Sequence, residues 1–105
     1  MSIVVALTTF PDRARAEAAV RTLVEEKLIA CGNISAGWRS IYRWQGAVEE
    51  SDEVLCLLKT TWAEVPALKA RLPALHPYEV PELVVLPVED GHAPYLAWVA
   101  ASTGA

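Results

Sequence analysis

Basic charge is scarce. Lys and Arg number 9 against 13 Asp and Glu, for a formal net charge of -4, so the electrostatic footprint that phosphate-backbone binding requires is missing. Nucleic acid is therefore not an expected partner. Long apolar runs are missing too: "IVVAL" and "VLCLL" are strand-sized, far short of the roughly 18 residues of a membrane span. The opening "MSIVVALTTFPDR" lacks the basic region, apolar core and small-residue cleavage site of a secretory signal. These absences predict a cytoplasmic chain with no membrane partner. Cysteine is limited to Cys31 and Cys56, which a reducing compartment would keep as thiols. "WQGAVEE" has one glycine where a phosphate cradle needs several, and no nucleophile pair or paired-carboxylate arrangement stands out. The chain is expected not to be an enzyme.

What is present is apolar surface. At 105 residues the chain has the size of one domain, residues 1–105. Its hydrophobic fraction of 53% exceeds the roughly 45–50% usual for soluble domains, and four Trp is a heavy load. The surplus points to a subunit interface.

The order of elements follows from periodicity. Ile3 to Leu7 is β-branched and apolar, and Pro11 breaks the run while Asp12 offers a helix N-cap. Ala19, Val20, Leu23 and Val24 then recur at helical spacing, predicting a helix that closes near Cys31 and Gly32. From Asn33 to Trp44 the pattern alternates, predicting a long strand with Ile34, Ala36, Trp38, Ser40, Tyr42 and Trp44 on one side. A turn at "QGAVEES" leads into an apolar strand, Val54 to Leu58, read as covered on both faces. Thr61 to Glu64 has capping-box form, although Pro66 also fits the start of the following helix, which ends between Pro73 and Pro77. "ELVVLPV" reads as a strand and "GHAPYLAWVAAS" as a short helix with Pro94 in its first turn. The resulting β-α-β-β-α-β order predicts an α+β, ferredoxin-like antiparallel sheet with helices on one face and a short C-terminal helix.

Five motifs in order, "ACGNI", "SIYRWQG", "LLKTT", "LHPYEVPEL" and "YLAW", resemble the CutA family, the divalent-cation tolerance proteins. The likeness runs from the first strand to the last helix. It implies a tight homotrimer of ferredoxin-like subunits whose long hairpin strands pair across subunit boundaries. In such a trimer Trp38, Tyr42 and Trp44 would be buried at the interface.

The same resemblance implies divalent metal binding, copper above all, with Cys31 and His76 matching the family's proposed ligands. Thiolate and imidazole suit Cu or Zn, although two donors fall short of the four that close a tetrahedral site. Some members carry a further cysteine where this chain has Thr8, which implies modest copper affinity here. Read without the family, Cys31 is equally a small half-buried hydrophobe at a helix end. His76, biased by Pro77 to extended backbone that would aim its ring outward, reads otherwise as a surface or helix-end histidine. Cys56 reads as core and His92 as a turn residue.

Tyr78, Glu79 and Glu82, held between Pro77 and Pro81, are expected to cluster with Lys59, and the resemblance places this segment in a cleft between subunits. The cluster is either a pocket for an anion, metal or small ligand, or an ion-pair network that holds the trimer. The leading expectation is a trimeric cytosolic protein of metal tolerance that binds Cu(II) or other divalent cations. The alternative is a signalling or scaffold trimer resembling the PII nitrogen regulators, with a small anion or protein partner in the intersubunit cleft. The basic nucleotide-binding residues and long loop of those regulators have no counterpart here.

Overall fold

The structure, a computed structural model, describes residues 2–104. Strand β1, Ile3–Phe10, extends three residues beyond the apolar run seen in the sequence, because Thr8 and Phe10 continue its buried alternation. Pro11 ends it, and the Asp12 side chain accepts the Arg15 N–H at 2.8 Å to open helix α1, Arg13–Glu25. That cap satisfies one of the N–H groups a helix start leaves unpaired.

Helix α1 stops well before Cys31, contrary to expectation. Lys27 adopts a left-handed φ of 61°, and the Lys27 and Leu28 N–H groups bond back to Val24 and Leu23 at 3.0 Å each, the left-handed closure common at helix ends. The apolar spacing runs on through Leu28 and Ile29 because these residues pack into the core beyond the helix. Cys31 consequently opens strand β2, Cys31–Trp44, rather than closing a helix. Strand β3, Ala47–Thr61, is far longer than its apolar stretch. Gln45 and Gly46 join the two strands with φ of 49° and 83°, the doubly positive pair that a two-residue hairpin turn requires.

After a 3-10 turn at Trp62–Glu64, helix α2 covers Val65–Leu75 with Pro66 in its first turn. The second of the two starts allowed by the sequence is the one adopted, and Thr61 makes no side-chain cap. Strand β4, Val84–Pro87, is shorter than expected, and helix α3 spans Ala93–Ala101. The strands lie in the order β2-β3-β1-β4, all antiparallel, which is the ferredoxin-like arrangement.

Helices α1 and α2 cover one face of this sheet, closing a core of Phe10, Leu23, Leu58, Leu68 and Leu72. Gly32 marks the contact: a Cβ there would come within 2.6 Å of Val20 Cγ1 on α1. Its neighbour Cys31 therefore faces the opposite side, where α3 packs Val99 against Ile3 and Ala30. The rest of that second face is open, leaving Val84 and Leu86 exposed and Leu55 and Leu57 half-buried. Within one chain the apolar β3 run is covered on the helix side only.

Strand β2 does not alternate uninterrupted. Its register against β3 shifts between Ile34, opposite Cys56, and Gly37, opposite Val54. The single extra residue is a β-bulge, and it reverses which side faces which layer. Ile34 joins the helix face with Cys56, whereas Trp38, opposite Glu53, turns to the open face with Tyr42 and Trp44. The expectation that Ile34 shares a side with these aromatics is corrected accordingly. Ser35 makes the break tolerable, since its Oγ accepts the Leu55 N–H at 2.8 Å and replaces a ladder bond.

Candidate functional site

Strand β1 ends opposite Val54, one residue short of Glu53, and the hairpin continues beyond it. The stretch from His76 to Glu82 fills this step. Prolines 77 and 81 restrict its backbone, and His76 is extended as the sequence predicts, with φ -102° and ψ 138°.

The imidazole is not turned outward. His76 is 9% exposed, stacks on Phe10 with ring centres 4.1 Å apart, donates from Nε2 to the Thr9 carbonyl at 2.6 Å, and accepts the Tyr78 N–H on Nδ1 at 3.1 Å. The carbonyl can only accept and the amide only donate, so the ring is neutral with its proton on Nε2. Burial holds its pKa below the ordinary histidine value, partly offset by the Thr9 carbonyl and the charge of Glu53.

Tyr78 continues the chain of contacts by donating its hydroxyl to Glu53 Oε2 at 2.7 Å. Burial, reinforced by that hydrogen bond, pushes the phenol well above its ordinary range. Glu53 is itself buried. The only sequence signal for it is its place beside the apolar run of β3, and it was not among the expected site residues. Around it opens a groove of about 650 Å³, walled by Tyr42, Trp44 and Tyr78 and carrying Glu53, Glu79 and Glu82. Three members of the expected cleft cluster and two of the expected interface aromatics thus meet in one place.

Lys59 is not with them. It pairs across strands with Cys31 and with Val5 and donates its ammonium to Asn33 Oδ1, on the open face toward α3. There Cys31 Sγ lies 3.5 Å from the Tyr95 hydroxyl, a contact that raises the Tyr95 pKa to about 12. Cys31 is half-buried and Cys56 fully buried, both unpaired thiols. Cys31 and His76 occupy different regions of the sheet, and His76 has both nitrogens engaged. Among the described residues no three His, Cys, Asp or Glu side chains converge to hold a metal ion.

Residues 4–102 match the family model described as CutA1 divalent ion tolerance protein. The divalent-cation tolerance protein CutA of Thermus thermophilus is 51% identical over 100 residues, spanning 95% of this chain and 97% of that protein. Protein CutA of Mus musculus is 45% identical over 98 residues, but the matched part is only 55% of its length, so the chain spans about half of that relative. The solved structure of the Thermus thermophilus divalent cation tolerance protein (Cut A1) superposes with a TM-score of 0.94 at 50% identity, covering 97% of this chain and 99% of that one.

Proposed function

The chain belongs to the CutA1 divalent ion tolerance family, and from that premise we propose that it is a cytoplasmic homotrimer that binds divalent cations rather than an enzyme. The observation that carries the proposal is the family match over residues 4–102, and the groove beside His76, lined by Glu53, Glu79 and Glu82 and by no Lys or Arg, supports it. That surface attracts cations and repels the small anions of the PII-like alternative.

Copper is the proposed metal, with Cys31 and His76 as ligands. Soft and borderline donors favour Cu(II) over Mg(II) or Ca(II), which need oxygen cages. Because no three donors converge among the described residues, the proposed site takes further ligands from a neighbouring subunit. Ligation by His76 would also have to displace a partner, either the Tyr78 N–H or the Thr9 carbonyl. Both features agree with modest affinity.

Anaerobic titration calorimetry on wild type, Cys31→Ser and His76→Ala tests this reading. Cu(II) binding should exceed Mg(II) binding, weaken in both variants, and fall only at a pH below the ordinary histidine range, because burial lowers the His76 pKa and it is protonated late. Equal copper binding by all three proteins would remove both residues from the site. A thermal-shift response to nucleotides or organic acids but not to metals would favour the PII-like reading.

A further inference from the structure

We infer that the Asp90–Gly91 link is a site of spontaneous covalent modification, at which the aspartyl peptide isomerises to isoaspartate through a cyclic imide. Of the Asp residues, Asp12, Asp52 and Asp90, only Asp90 precedes a glycine. Gly91 donates its N–H to Asp90 Oδ1 at 2.8 Å, which holds the carboxyl group against the very amide it must acylate. Groups already held in that proximity lose little further freedom on the way to the ring. Glycine also presents no Cβ to obstruct the approach.

The fold leaves this link free to react and restrains its counterparts. Glu89 to His92 are exposed and belong to no helix or strand, past the end of β4 and outside the strands of the open face. The Gly91 N–H has no other acceptor among the described residues, so no ladder or helix bond has to break before the nitrogen turns onto Cγ. Asp12, by contrast, is fixed by the Arg15 N–H at the start of α1, and Asp52 lies within β3 and accepts from Arg39. In the reaction the Gly91 nitrogen bonds to Asp90 Cγ, and its proton leaves with the carboxyl hydroxyl as water. Water then reopens the ring, at the side-chain carbonyl to restore aspartate or at the backbone carbonyl to give isoaspartate. The second product carries an extra carbon in the backbone directly ahead of α3. Gly91 backs onto Leu96 there, since a Cβ on it would lie 3.3 Å from Leu96 Cδ2, and Leu96 packs against the cluster of Ile3, Ala30 and Val99.

The test ages the full chain, in whatever assembly it forms, in neutral buffer. Peptide mapping with electron-transfer fragmentation, together with methyl transfer from S-adenosylmethionine by an isoaspartyl methyltransferase, should locate isoaspartate at Asp90. The whole-chain mass should stay unchanged apart from an imide species lighter by one water. Accumulation should be at least about tenfold faster at Asp90 than at Asp12 or Asp52, and about tenfold slower in Gly91→Ala than in wild type. Asp90→Glu, which keeps the charge but closes the ring poorly, should remove the methyl-accepting signal. Equal accumulation at all the Asp positions, or undiminished accumulation in a folded Gly91→Ala, overturns the inference. So does the absence of isoaspartate from the native protein, and its appearance at Asp90 only in the urea-unfolded chain would show that the fold holds the two groups apart.

Discussion

Cys56 and Cys31 show how far one residue type can be divided by its surroundings. Cys56 is fully buried opposite Thr8 in the sheet, and burial raises its thiol pKa to about 11. Cys31 sits half-exposed on the other face against Tyr95. Alkylation of the native protein should therefore label Cys31, with Cys56 reacting only on unfolding, as peptide mapping would show. Since Cys56 is harder to ionise folded than unfolded, its contribution to stability is complete below about pH 9, the ordinary thiol range, and is lost as pH climbs toward about 11. Denaturation midpoints of Cys56→Ala should accordingly fall less steeply than wild type across that window. The buried character of Cys56 was legible, since it lies within an apolar strand run. The inward turn of His76 was not, because a histidine before proline fixes its own backbone but not which aromatic and carbonyl will meet its ring.

Element order was legible because periods of two and 3.6 residues separate strands from helices, and because Asp12, Pro66 and Pro94 mark helix starts by local chemistry. The bulge in β2 was not. Nothing in "NISAGWRS" distinguishes a continuous strand from one with an added residue, since either leaves an alternating pattern. Its consequence is large, because it directs Trp38, Tyr42 and Trp44 away from the helices. Ser35→Ala would leave the part-buried Leu55 N–H without its acceptor, and a cost of about 1–3 kcal/mol is expected, measured by urea denaturation. Gly32→Ala addresses the other side of the same strand. With Val20 Cγ1 at 2.6 Å and Leu58 Cδ2 at 3.0 Å from the added carbon, the Val20 side chain, or α1 with it, would have to shift. Overpacking of this kind costs about 1–3 kcal/mol, and a denaturation midpoint equal to wild type would show that α1 yields freely.

At the scale of the whole molecule, a single chain leaves its hairpin and open sheet face unfinished. Trp38 is 54% exposed on the open face, where Val84 and Leu86 are exposed as well, whereas Ile41, opposite Glu50, and Val48, opposite Arg43, are exposed on the hairpin's other side. Exposed apolar surface of this kind is what the proposed trimer would use, and the unpaired edge of β2 is a template for strand addition. The apolar excess in the composition foretold such a surface, but the sequence alone could not say which side of the hairpin would bear it. Trp38 gives the sharpest test, because its side chain lies on the open face and outside the buried core. Trp38→Glu should therefore spare the subunit fold while placing a desolvated, unpaired charge in the proposed trimer contact, a several-kcal/mol penalty per ion repeated in every subunit. Light scattering coupled to size exclusion should report three chains' mass for wild type and one for the variant, with far-UV circular dichroism unchanged. A trimer that survives Trp38→Glu would move the interface off this face, and a monomeric wild type at micromolar concentration would remove the trimer altogether.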